Sequence, residues 1–315
     1  MNKKFTMLTI LFIMLVLVFA ACSSEKSSTN KNESENNNAE NEVTYNPPSM
    51  DDLDPNDPDT DLILKGEELF NETNTVASDY VGNELSCQSC HADGGIGESS
   101  SLVGTSAQFP EYRPREGKVF SIEDRINGCM IRSMNGKMFE EDSEELEAMT
   151  AYINKLSEGI EEGDDLPWRM HNTMEEIPEP DVDHGEELYD SKNCLTCHAD
   201  DGSGTGANSG PALWGDKSFN DGAGLNRMTK MAGYLKNNMP KGNENLTDQE
   251  AADLAAYLLS FERPVWEGHD DDWPKEDDER PTDIITKDRR EQIREGTFDW
   301  TEIDNIIPKD KVEKE

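Results

Sequence analysis

Apolar residues are distributed along this chain in three different ways. From Phe5 to Phe19 they form a run interrupted only by Thr6 and Thr9, too short for a spanning helix, which takes roughly 20 residues. Between positions 23 and 60 they nearly vanish among Ser, Asn, Glu, Asp and Pro, and such a segment cannot offset the entropy of its own ordering. Further on they recur at three- and four-residue spacing. Leu146, Met149, Ile153 and Leu156 mark one amphipathic helix in DSEELEAMTAYINKLS (142–157), and Leu254, Tyr257, Leu258 and Phe261 mark another in LTDQEAADLAAYLLSF (246–261). Each opens on residues spaced as a capping box, Asp142 with Glu145 and Thr247 with Glu250. No convincing run of alternating strand residues lies between these landmarks, so the pattern predicts two small all-helical domains.

The two helices close two copies of one unit. GEELFNETN (66–74) followed by LSCQSCHADGG (85–95) recurs as GEELYDSKN (185–193) followed by CLTCHADDG (194–202). This places a first domain at 61–160 and a second at 183–263, joined by an acidic linker, 161–182, that carries Pro167, Pro178 and Pro180. Residues 264–315 form an irregular C-terminal extension, too polar for a third core, whose Trp266, Trp273 and Trp300 are placed to pack across both domains. At the other end, Lys3 and Lys4 precede the apolar run and Ala20, Ala21 and Cys22 close it, the signature of a cleaved export signal over 1–21. Phe-Ala-Ala-Cys resembles a bacterial lipobox, although Leu is commoner than Phe at its first position. The reading is cleavage before Cys22, lipidation of its thiol, and a disordered tether over 22–60; an uncleaved anchor and an ordinary signal peptide are the alternatives. All three put the body of the chain outside the cytoplasmic membrane, and the lipobox puts it on the extracytoplasmic face by a lipid anchor. A net charge of −39 argues against nucleic acid and against adhesion to anionic headgroups, and suits a solvated exported protein.

The chemistry lies in the repeat. Cys87-Gln88-Ser89-Cys90-His91 and Cys194-Leu195-Thr196-Cys197-His198 are two CxxCH motifs, which in an exported chain read as covalent attachment of two c-type haems. Two cysteines three apart reach both vinyl groups of one porphyrin, and the adjacent histidine presents Nε2 to the iron. A bare CxxC also suits a redox dithiol or half a zinc site, but the duplicated five-residue motif disfavours both. Ligating histidines are oriented through their other nitrogen; GPALWG (210–215) resembles a loop in which a proline carbonyl does this, making Pro211 the partner of His198, while SSLVG (100–104) holds the equivalent place in the first copy without a proline. For the far face of the second haem, Met239 stands just past the helix-like AGYLKNN and before Pro240, with Met228 and Met231 read as core. For the first, Cys129 holds the corresponding place, with Met130, Met134 and Met138 as competitors and an inert buried cysteine as the plain alternative.

QFPEYRPREGKVFSIEDRINGCMIRSMNGK (108–137), set after LSCQSCHADGG, resembles the dihaem thiosulfate dehydrogenases, cytochromes c that couple two thiosulfates into tetrathionate. The resemblance implies two tandem cytochrome c-like domains, Cys129 as distal ligand of the active-site haem, His91 and His198 as proximal ligands, Met239 on the electron-transfer haem, and Arg115, Arg125 and Ser133 at the substrate. Where some members carry a lysine before the distal methionine, this chain has Asn238. The charges agree: residues 111–138 hold Arg113, Arg115, Lys118, Arg125, Arg132 and Lys137 against Glu111, Glu116, Glu123 and Asp124, a local +2 that gathers a divalent anion where the rest of the surface repels it. Arg113 and Arg132 are the candidates for neutralising haem propionates instead. The implied partners are thiosulfate and tetrathionate and a redox partner such as a small cytochrome c or terminal oxidase. A plain electron carrier, a Cys-ligated subunit like that of the Sox complex, and a tetrathionate reductase are the competing readings.

Overall fold

The computed structural model describes residues 43–308 other than 98 and 171. The expected signal segment, Cys22 and the tether as far as residue 42 lie outside the described residues. Helices Thr60–Asn71 (α1), Thr73–Val76 (α2), Ile122–Arg132 (α3) and Glu144–Lys155 (α4) build the first domain. Val182–Ser191 (α5), Leu195–His198 (α6), Met228–Asn238 (α7) and Asp248–Leu259 (α8) build the second.

In each domain the opening helix packs on the closing one, α1 on α4 and α5 on α8, and α7 packs on α8 as well. The glycine of each GEEL repeat explains how closely. A Cβ at Gly66 would lie 2.1 Å from the Ala148 carbonyl oxygen, and one at Gly185 would lie 2.3 Å from that of Asp253. Only a bare Cα fits where the backbones cross, so this glycine fixes the crossing from which the CxxCH segment departs. Leu146, Met149, Ile153 and Leu156 are all buried, as their spacing predicts, and so are Leu254 and Leu258, with Met228 and Met231 in the core. The Thr247–Glu250 capping box forms. The Asp142–Glu145 box does not: Ser143 caps α4, accepting from the Leu146 N–H. Ser143 stands one residue closer to the first turn, and the free N–H of N3 goes to it.

The described parts of the tether and of the extension, residues 43–60 and 264–308, are better ordered than their composition predicts. Tyr45 sets its ring edge-on to Trp168 at 5.0 Å, its hydroxyl bonds the Ile96 carbonyl, and Met50 packs on the core. The described end of the expected tether is therefore seated on the first domain through Tyr45 and Met50. The extension is not irregular either. It forms a helix, Lys287–Arg294 (α9), and buries Ile284, Ile285, Ile293, Phe298, Ile303 and Ile306. These few apolar residues extend the second domain's core and need no core of their own. Two short ladders also form: Glu111–Arg113 (β1) antiparallel to Lys118–Phe120 (β2), with Tyr112 opposite Val119, and Ile177–Pro178 (β3) parallel to Ile306–Ile307 (β4). Strands of two or three residues are too short to carry an alternation signal. Trp266 and Trp273 do bridge toward the first domain, stacking over Arg132 and Arg115 at 5.1 and 5.0 Å.

Candidate active site

Helix α3 shapes the site in the first domain. Ser121 and Asp124 cap it reciprocally, and its four-residue spacing aligns Arg125, Cys129 and Ser133 on one stripe, with Ile122, Ile126, Met130 and Met134 beside it. All seven line a single apolar cavity whose other walls include Cys87, Cys90 and His91. Phe219, Ala223 and Leu225 of the second domain also wall it, a contribution that nothing in the first repeat announces. Arg125 Nη1 donates to Cys129 Sγ at 2.8 Å, and the sulfur raises the Arg125 pKa above its ordinary value. Met138 is 56% exposed and away from the cavity, so of the competing sulfurs Cys129, Met130 and Met134 remain, and Cys129 alone carries a guanidinium contact among the described interactions.

The opposite wall has the donor set that a covalent haem requires. Cys87 and Cys90 are unpaired thiols, pushed up by burial to about 12 and about 11, hence neutral and available for thioether bonds. His91 Nδ1 lies 2.6 Å from the Ser100 carbonyl, and burial holds its pKa below the ordinary value. A neutral imidazole that donates through Nδ1 leaves the Nε2 lone pair for a metal. Ser100 does for His91 what a proline carbonyl was expected to do elsewhere. It adopts a left-handed backbone, φ +51°, a conformation uncommon for serine, and it opens the SSLVG segment that holds the place of the proline loop in the first copy. In the second domain His198 Nδ1 meets the Pro211 carbonyl at 2.8 Å, as expected, and burial again lowers the histidine's pKa. Cys194 and Cys197 flank it, and Met239 caps the C-terminus of α7 and packs on the core. The residues present in both domains fit c-type haem.

Arg115, expected at the substrate, is not among the residues that line the cavity. Its Nε and Nη2 donate to Asp272 Oδ2 at 2.9 and 2.6 Å and its Nη1 to the Gly222 carbonyl at 2.7 Å. Asp272 Oδ1 also accepts from Arg132 Nη2 at 2.9 Å, and Arg132 Nη1 donates to Glu116 Oε1 at 2.9 Å. Burial, with Arg115 nearby, holds the Arg132 pKa below its ordinary value. Arg113 pairs with Glu111 at 3.0 Å. Of the expected anion-binding residues, the fold therefore brings Arg125 and Ser133 to Cys129 and ties Arg115 to the extension. Asp272 escaped notice in the sequence because it is one acid among many in the run DDDWPKEDDE (270–279).

Paired CxxCH segments, each with its histidine anchored to a backbone carbonyl in a mostly helical domain, define a cytochrome c with two haem-binding domains. Residues 65–161 match the family described as SoxA/TsdA, cytochrome c domain, and residues 180–258 match Cytochrome C oxidase, cbb3-type, subunit III. The thiosulfate dehydrogenase of Allochromatium vinosum is 39% identical over 215 residues, which are 65% of this chain and 79% of that protein. That of Stutzerimonas stutzeri is 38% identical over 232 residues, 71% of this chain and 74% of that protein. The solved thiosulfate dehydrogenase (TsdBA) from Marichromatium purpuratum superposes with a TM-score of 0.63 at 33% identity over 69% of this chain, which spans 49% of that longer one. The chain belongs to the thiosulfate dehydrogenase family.

Proposed function

We propose that this protein oxidises thiosulfate at Cys129 and joins two thiosulfates into tetrathionate. The observation that carries this reading is the cavity in which Cys129 Sγ, with Arg125 Nη1 at 2.8 Å, is lined up with Cys87, Cys90 and His91. His91 and Cys129 would hold the first haem iron, and His198 and Met239 the second. Bound haem supplies one-electron acceptance, and two such centres match the two electrons released.

The chain's own residues do the rest. Arg125 offers a fixed fork of donors to the sulfonate oxygens of the substrate, and the Ser133 hydroxyl is an additional donor on the same stripe. The Cys129 thiolate then bonds the terminal sulfur of thiosulfate, giving Cys129–S–S–SO3⁻ and releasing two electrons. A second thiosulfate attacks the sulfur bonded to Cys129 Sγ, the Cys129 thiolate leaves, and tetrathionate forms with no further redox change, an exchange of the thiolate-on-disulfide kind. The apolar walls exclude water and strengthen the pull of Arg125 on the anion. Arg115, held by Asp272, serves to brace the arginine cluster.

The export signal and lipobox support a lipid-anchored protein on the extracytoplasmic face of a bacterial cell membrane, passing electrons to a small cytochrome c or a terminal oxidase. Among the described residues no helix is long and apolar enough to cross a membrane, and the proposed point of anchoring is Cys22. Cys22→Ala should leave the protein unlipidated and free of the membrane fraction; a wild-type chain recovered wholly from the medium with an N-terminus at Ser23 or later would overturn this assignment. The activity is tested by adding thiosulfate to the oxidised, purified protein while following haem reduction and assaying tetrathionate. Reduced haem with tetrathionate in a one-to-two electron balance supports the reading. A protein that thiosulfate fails to reduce, but whose chemically reduced form is oxidised by tetrathionate, would reverse the direction, and one indifferent to both would be an electron carrier.

A further inference from the structure

The interdomain linker contributes one side chain that touches the supports of both haem sites. His91 Nδ1 lies 2.6 Å from the carbonyl of Ser100. The hydroxyl of the same Ser100 accepts from Asn172 Nδ2 at 2.6 Å. On its other side, Asn172 Oδ1 accepts from Asn238 Nδ2, also at 2.6 Å, and Asn238 is the residue before Met239. Asn238 is buried, and its Nδ2 also donates to the Tyr234 carbonyl at 2.9 Å, which fixes the amide against the last turn of α7. The linker backbone lies directly on that helix, since a Cβ at Gly233 would come within 2.6 Å of the Asn172 carbonyl carbon. A second contact runs the same way: the Tyr234 hydroxyl reaches Ser99 Oγ and the Cys90 carbonyl at 3.5 Å each. Helix α7 therefore rests on the CxxCH loop of one domain and delivers the C-terminal methionine of the other.

We propose that Asn172 is a positioning residue that couples the two haem sites, holding the Ser100 carbonyl on His91 with one end of its amide and the Asn238–Met239 turn with the other. The inference rests on the reading of His91 and Met239 as haem ligands. Its physical basis is that an uncommon backbone conformation at Ser100, φ +51°, persists only where neighbours over-determine it. Asn172 supplies that constraint at the serine's hydroxyl. The hydrogen bond to the outer nitrogen of a ligating histidine sets its orientation and basicity, and the placement of α7's last turn decides where the methionine sulfur falls. One amide thus biases the ligand field at both irons.

The test is potentiometric titration of the purified dihaem protein, following each haem by its optical and low-temperature paramagnetic spectra, in wild type and in Asn172→Ala, Ser100→Ala and Asn238→Ala. Loss of a ligand-orienting contact changes metal-site equilibria by about tenfold or more. Asn172→Ala should therefore change the ferrous-to-ferric ratio at fixed potential by about tenfold at both haems and weaken the near-infrared methionine-to-iron band. Ser100→Ala should move the first haem and Asn238→Ala the second, and this pair carries the test should Asn172→Ala not mature with two haems. A lower thermal midpoint for Asn172→Ala with both potentials unmoved would make Asn172 a structural bridge only, and a shift at one haem alone would also overturn the coupling. A wild-type protein without a methionine-to-iron band would refute the ligand assignment of Met239 itself, a failure distinct from that of the coupling.

Discussion

Arg125 and Arg115 stand ten residues apart in one basic island, and the structure gives them opposite tasks, so the pair of alanine variants makes a discriminating experiment. Arg125 lines the cavity and donates to Cys129 Sγ at 2.8 Å. Arg125→Ala removes a charge-assisted bond of about 1.5–3 kcal/mol from the site, which converts to a loss in kcat/KM of roughly ten- to a hundredfold or slightly more. Little stability should go with it, because no carboxylate among the described ion pairs is left without its partner. Arg115→Ala does the reverse. It strips three donors, two from the buried Asp272 carboxylate and one from the Gly222 carbonyl. Asp272 has a side-chain exposure of 3% and keeps only Arg132. Breaking a buried ion pair by removing one partner costs about 3–5 kcal/mol, and the retained Arg132 bond places this case near the lower end. A chain of this size loses roughly 2–4 °C of thermal midpoint per kcal/mol, so a fall of about 6–12 °C is expected. The assays are steady-state thiosulfate oxidation with an artificial electron acceptor, and thermal unfolding of the same preparations, each checked for two covalent haems by pyridine haemochrome. Arg125→Lys, which keeps the charge without the fork, should recover part of the activity. The reasoning fails if Arg115→Ala loses as much kcat/KM as Arg125→Ala while its thermal midpoint is unchanged.

Cys129→Met should retain both haems and raise the potential of the first, since thioether is a weaker donor than thiolate, yet tetrathionate formation should fall by orders of magnitude; near-normal turnover would remove Cys129 from the chemistry. Asp272→Ala leaves Arg115 and Arg132 facing each other without their shared carboxylate, and should destabilise by about 3–5 kcal/mol, more than Arg115→Ala and measurable as a larger drop in thermal midpoint. His184 Nδ1 lies 2.7 Å from the buried Asp253 carboxylate, whose hydrogen bond raises the histidine pKa above 6.5. A raised folded-state value favours the protonated, folded form, so this contribution is full below the ordinary histidine pKa and is lost as pH rises through the raised one. The thermal midpoints of wild type and His184→Gln should therefore differ most in mildly acid buffer and converge at alkaline pH; a difference that grows with pH would refute the pairing.

Local patterns in the chain were enough to determine the modules and their chemistry. A CxxCH motif needs only five neighbours, and helical periodicity needs only three or four turns. The two haem segments, the closing helices and the candidate ligands His91, His198, Cys129 and Met239 were accordingly legible from residues near one another in sequence. Pro211 was too, because its loop carries its own signature. Tertiary structure decided whatever depends on which distant atoms meet. Ser100 supports His91 through a backbone carbonyl, and carbonyls are the same in every residue. Asp272 is chosen from an acidic run by the position of two arginines about 140 and 157 residues away, and Asn172 by the meeting of two domains. Arg115 and Arg125 look alike in a charge count, since each adds one positive charge to the island. Only the fold separates them, by giving Arg115 a buried carboxylate and leaving Arg125 to the sulfur, because electrostatic partnership depends on distance and burial, and neither is written in local sequence.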